Sequence, residues 1–151
     1  MMAVLRDRPC LNSNFLVDLG VGDARAPDAG FAEVIFPVFG VDGGDARDAE
    51  PAESHTVSLA GSAGGNRLIL RRGVTGALNL VAWWNKARRG RAPQRRSVKV
   101  ELLGEDQATV VLTWRFRNAR PLSLSYSPLN AAEGGVLMET IELAFDSVEI
   151  S

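Results

Sequence analysis

Along the second half of the chain apolar residues recur at every second position. In "SVKVELL", Val98, Val100 and Leu102 alternate with Ser97, Lys99 and Glu101; in "TVVLTWRFR", Val110, Leu112, Trp114 and Phe116 alternate with Thr109, Val111, Thr113, Arg115 and Arg117. "PLSLSYS" sets Leu122, Leu124 and Tyr126 against Ser123, Ser125 and Ser127, and "TIELAFD" sets Ile141, Leu143 and Phe145 against Thr140, Glu142, Ala144 and Asp146. Period-two alternation predicts four half-buried strands, each with the apolar set turned to a core and the polar set turned to water. The apolar set then changes parity to Val148 and Ile150, which predicts a bulge near Ser147.

Upstream, "NFLVDLG" (Asn14 to Gly20), "FAEVIFPV" (Phe31 to Val38) and "RLILRRGV" (Arg67 to Val74) read as further strands, with a brief one at His55 to Leu59. Residues 79–89 change to helical spacing, with Leu80, Trp83, Trp84 and Ala87 on one stripe. Lys86, Arg88 and Arg89 suit the negative end of the helix dipole, Gly90 suits a left-handed stop, and Pro93 prevents continuation. Adjacent helical residues point about 100° apart, so Trp83 and Trp84 cannot share one pocket. One belongs to the core, and the other meets a loop or a partner. Residues 40–66 hold six glycines and few packing side chains, and read as an extended loop. The predicted fold is mainly β: an antiparallel sandwich or barrel with one α-helix, residues 1–151 forming a single domain.

The chain has 151 residues, 46% hydrophobic and 23% charged, and no apolar run long enough to span a bilayer. Its first residues lack the apolar core of a signal peptide, so synthesis in the cytoplasm with no membrane anchor is expected. Cys10 is the one cysteine and receives no role. The net charge of −1 conceals a segregation. Residues 1–60 carry four arginines against ten carboxylates, residues 61–120 carry thirteen basic groups against three acidic ones, and residues 121–151 carry no basic group against five acidic ones. Fifteen of the seventeen cations are arginine, whose planar fork favours fixed pairing over simple hydration.

Catalytic chemistry finds little support. His55 is the one histidine, it lies in the glycine-rich loop, and there is no G-x-S-x-G nucleophile turn. Asp42 to Glu53 has the first and twelfth residues of a calcium loop, but Gly44, Ala46 and Arg47 stand where ligands and the turn glycine are needed. "RRGVTG" lacks the G-K-[ST] ending of a phosphate-binding loop. No catalytic residue, metal site or cofactor is expected, and the chain reads as a non-enzyme. The cluster Arg88, Arg89, Arg91, Arg95 and Arg96 keeps one alternative open, a basic β-barrel that binds nucleic acid. The mildly acidic total, and the absence of an aromatic-studded strand face, weigh against it.

"NFLVDLG", "FAEVIFPV", "LILRRGVTGALNLVAWWNKARRG" and above all R-F-R-N-A-x-P-x-x-x-S-Y-S-P-L-N, here Arg115 to Asn130, resemble the tail-tube (inner tube) protein family of contractile phage tails and phage-tail-like contractile injection systems. The resemblance covers residues 13–39 and 67–150. It implies a structural subunit that forms stacked hexameric rings around a hollow lumen, conducting a cargo effector or DNA. It also implies sheath, baseplate or spike, and cap proteins as partners, and a final location in an assembled particle or virion. On that reading Ser123, Ser125, Ser127, Thr140 and Glu142 are lumen-facing candidates. Ring stacking is expected to join Arg71, Arg72, Arg88, Arg89 and Arg91 to Asp42, Asp45, Asp48 and Glu50 of the adjacent ring, and the loop 40–66 to contact that ring or a tube-end partner.

Overall fold

The alternating segments pair into antiparallel ladders around one apolar core. The computed structural model describes residues 3–4, 8–21, 30–40, 66–90 and 95–151, and the backbone alone of 55–58. The elements in chain order are β1 (Phe15–Asp18), β2 (Glu33–Ile35), β3 (His55–Ser58), β4 (Arg67–Gly73), α1 (Asn79–Arg89), β5 (Arg96–Leu103), β6 (Val110–Tyr126), β7 (Met138–Ala144) and β8 (Ser147–Ile150).

β6 organises the molecule, because its 17 residues belong to two sheets in succession. Its first half lies between β5, where Val98 is opposite Phe116 and Val100 opposite Trp114, and β8, where Phe116 is opposite Val148 and Trp114 opposite Ile150. β1 pairs outside β5, and β3 outside β8, completing the first sheet. The second half of β6 pairs with β7, β7 with β4, and β4 with β2, giving the second sheet. Every contact is antiparallel, as the alternation requires.

The alternation predicts two strands where the structure has one. The residues Asn118-Ala119-Arg120 fall between the two predicted strands; in the fold they are a bend in one continuous strand. Phe116 and Ala119 are both fully buried although three residues apart, and on the returning arm Phe145 and Val148 are buried at the same spacing. Register is the same on either side of the bend, Arg117 facing Ser147 and Arg120 facing Ala144. Both arms therefore change parity together and no residue is extra. The bulge expected near Ser147 is instead this coupled bend. Asn118 takes a left-handed φ of 55°, a conformation asparagine tolerates better than most residues.

Against β5 the bend does carry an irregularity, two β6 residues standing opposite Ser97, whereas against β7 the bulge comes later on β6. Pro121 faces Leu143 and Ser123 faces Glu142, so Leu122 is the additional residue and its side chain is 46% exposed. Leu122 was expected in the core, and the bulge removes it. Tyr126, also expected there, is 50% exposed at the strand's end. Ile141, Leu143 and Phe145 are fully buried as the alternation requires, and Leu124, half-buried, faces Ile141.

α1 closes the core with Leu80 and Trp83, both at 0% exposure; Trp84 and Ala87 are only partly covered. The helix ends at Gly90, whose φ of 69° is the left-handed stop, with Lys86, Arg88 and Arg89 in its last turn. Phe116 and Phe145 meet edge to face at 4.8 Å in the middle of the core. At its margin Gly20 is required: its φ is +83°, and a Cβ there would lie 2.8 Å from the Ser97 carbonyl oxygen.

Candidate assembly surfaces

The second sheet has one apolar and one polar face. Val34, Leu70, Ile141 and Leu124 form an inward row across its four strands, and Glu33, Arg71, Thr140 and Ser125 form the neighbouring outward row. Ser123 and Glu142 lie in the next outward row, which Ile69 and the exposed Ile35 continue on β4 and β2, and Ser127 continues the strand, its amide donating to the Met138 carbonyl at 2.9 Å. The five lumen-facing candidates thus share one face, because strict alternation resumes after the Leu122 bulge. The cations on that face are paired: Arg67 with Glu142 at 2.7 Å and Arg71 with Glu33 at 3.0 Å. The Ser123 hydroxyl donates to the second Glu142 oxygen at 3.2 Å. These are half-exposed pairs, each worth about 0 to 1 kcal/mol.

The inward face holds one polar row that sequence reasoning missed. Arg72 Nε donates to Glu139 Oε1 at 2.8 Å, and the Tyr126 hydroxyl donates to Glu139 Oε2 at 2.9 Å. Arg72 and Glu139 are 3% exposed. The Arg72 guanidinium also lies 5.7 Å from the Phe31 ring centre, and its Nη2 reaches the Ala77 carbonyl at 3.4 Å. Partial burial of the phenol, followed by the Glu139 hydrogen bond and charge, pushes Tyr126 above the usual tyrosine range. Arg72, expected at a ring boundary, is committed inside its own subunit. Parity carried the signal: Arg72 shares the inward phase of Leu68 and Leu70, and Glu139 that of Ile141 and Leu143.

Ala77 leads into α1, so the helix lies on the inward side of the second sheet and the polar outward face is left uncovered by it. Arg96 stacks over Trp83 at 4.4 Å and Arg88 over Trp84 at 5.3 Å. Burial holds Arg96 below its ordinary value. Arg88 also donates to Asn85 Oδ1 at 2.9 Å, and both Arg88 and Arg89 are exposed. Trp83 is thus the core tryptophan, and Trp84 is the one shared with a surface arginine. Arg91, Asp42, Asp45, Asp48 and Glu50 lie outside the described residues, as does most of the loop 40–66.

At the bend, Asp146 accepts from Arg120 Nη1 at 3.1 Å and from Asn118 Nδ2 at 3.0 Å, and Arg95 lies at 3.6 Å. The Arg120 and Asn118 hydrogen bonds hold the Asp146 carboxyl below the usual carboxylate range. Among the described residues, no group of three His, Cys, Asp or Glu side chains is arranged to hold a metal, and no helix is long and apolar enough to cross a membrane.

Residues 11–149 match the family model described as T4-like virus tail tube protein gp19. No curated protein matches the chain. Among solved structures, the fold is similar to a chain of the sheath-tube complex of the PVC extracellular contractile injection system in its extended state. That match has 22% identity and a TM-score of 0.70, covering 96% of this chain and 93% of that one. A chain of the tube-terminating cap of the anti-feeding prophage matches with 20% identity and a TM-score of 0.71, over 98% and 94% of the two chains. Hcp1 from Flavobacterium johnsoniae matches with 12% identity and a TM-score of 0.51, over 87% and 89%.

Proposed function

Because this chain belongs to the T4-like virus tail tube protein family, a family of structural proteins and not of enzymes, we propose that its copies close into six-membered rings that stack into the hollow inner tube of a contractile particle. The carrying observation is the second sheet. It is polar on its outward face, and its outer strands are β2 on one side and the second half of β6 on the other. β5 leaves β6 at Ala119, so β6 residues 120–126 pair with β7 alone among the described strands. Unpaired edges invite strand addition, and closure into a barrel removes them. Joining the β6 edge of one copy to the β2 edge of the next makes the outward faces one continuous wall. Ser123, Ser125, Ser127, Thr140 and Glu142 then line a wet lumen that passes a cargo effector or DNA.

Arg88 and Arg89, with Arg91, are read as meeting Asp42, Asp45, Asp48 and Glu50 of the neighbouring ring, so that segregated charge is neutralised at each repeat. Arg71 contributes only by exchanging its Glu33 partner. Sheath, baseplate or spike, and cap proteins are the proposed partners; sheath, baseplate and cap are also named in the structures of similar fold.

Negative-stain imaging and mass measurement of the purified chain test the reading. Rings and tubes are expected. A protein that stays monomeric at every salt and concentration, with native particles lacking a tube of this chain, overturns it. Reversing Arg88 and Arg89 to Glu is expected to shorten the tubes while leaving subunits folded; undiminished tubes with lost DNA retention would instead favour the basic nucleic-acid-binding reading.

A further inference from the structure

The loop between β6 and β7, residues 127–137, carries two apolar side chains in water: Leu129 is 85% exposed and Val136 76%. Elsewhere on the same chain the two sheets part around an open groove of about 760 Å³. Its walls are the first sheet's Phe15, Leu102 and Trp114 and the β2 arm's Phe31 and Phe36, with Leu11, 60% exposed, at its mouth. Phe36 reaches across to Trp114 at 4.8 Å between ring centres, so the groove floor is aromatic. An exposed apolar knob and a groove with an aromatic floor and a polar rim of Asn12, Ser13 and Glu33 on one molecule are the ingredients of a head-to-tail contact between copies.

Strand directions say where the knob goes. β2 runs opposite to β4, β4 opposite to β7, and β7 opposite to β6, so β2 runs opposite to β6. Within one copy the groove under β2 is three strand spacings from β6, roughly 14 Å. When the β6 edge of one copy joins the β2 edge of the next, the end of β6 that leads into Leu129 lies at the start of β2, beside Phe31 and Ala32. Resting on the ring reading above, we propose that the 127–137 loop of each subunit seats Leu129 and Val136 in the aromatic groove of the adjacent subunit, fixing the lateral order of the ring beyond what backbone pairing supplies. Backbone pairing alone is indifferent to slippage by two residues, whereas a knob in a hole has one register.

Two exposed substitutions separate the halves of the contact. Leu129→Asp removes the knob and keeps the groove; Ala32→Trp, at an exposed groove residue, fills the groove and keeps the knob. Circular dichroism melts check that both fold. Each alone is expected to associate roughly 10- to 100-fold more weakly than wild type by sedimentation. An equimolar mixture is expected to form dimers that grow no further, because only one productive contact exists between the two variants. Rings from Leu129→Asp or Ala32→Trp equal to those of wild type overturn the knob while leaving the ring reading intact, and so does a mixture that stays monomeric when wild type assembles. Wild type that never assembles overturns the ring reading, and this inference with it.

Discussion

Arg72 and Glu139 face each other across β4 and β7 with both side chains 4% exposed, and Tyr126 of β6 donates to the same carboxylate. One row thus ties three strands of the second sheet. Breaking such a pair leaves a buried charge unmatched, at a cost of about 3 to 5 kcal/mol, whereas replacing both partners with apolar residues of similar volume is often close to neutral. Glu139→Leu and Arg72→Met are each expected to lower the urea midpoint strongly. The double variant Arg72→Met/Glu139→Leu is expected to recover most of the loss. A double-mutant cycle by chemical unfolding checks this, and additive losses would contradict it.

Tyr126 is the one tyrosine in the chain, so ultraviolet absorbance of the phenolate reports it alone. Partial burial and Glu139 raise its pKa. The titration midpoint of the folded protein is expected above the usual value of about 10. Tyr126 of a Glu139→Gln variant should titrate lower than in wild type, because the hydrogen bond to a charged acceptor and the adjacent negative charge are both removed.

Asp146 makes the bend sensitive to acid. Its folded pKa is depressed, first by the Arg120 hydrogen bond and then by Asn118. The stabilisation is therefore complete above the unfolded value of about 3.9, and is lost as pH falls through the lower folded value. Wild type is expected to exceed Asp146→Asn in stability by a constant margin between about pH 5 and 8, with the margin closing below about pH 4. Unfolding curves across that range test it.

The Leu122 bulge sets which side chains of β6 look outward. Leu122→Asp is expected to change stability by less than about 0.5 kcal/mol, as at other surface positions. Leu124→Asp, opposite Ile141, should cost at least about 2 kcal/mol for burying a polar group without a partner. Deleting Leu122 should cost less than Leu124→Asp, since it removes the additional residue and leaves Pro121 opposite Leu143, Ser123 opposite Glu142 and every later side chain on its own face. Thermal melts of the three variants rank them.

The amino-acid sequence determined what local physics controls. Alternation located the strands, and the spacing of Leu80 and Trp83, with Gly90 after them, fixed residues 79–89 as a helix, because periodicity and stop signals act within a few residues. It also placed Ser123, Ser125, Ser127, Thr140 and Glu142 on one face. Tertiary structure decided the rest. Whether Asn118 to Arg120 separates two strands or bends one depends on the returning arm, where Phe145 and Val148 change parity in step with Phe116 and Ala119. Leu122 leaves the core only because β7 offers one residue fewer than β6, and strand pairing over this distance is not visible in a single segment. Arg72 resembles Arg71 in sequence, yet one is buried on Glu139 and the other lies outside on Glu33, because adjacent residues of a strand point to opposite sides of the sheet, and which side holds the core is settled by what packs against it.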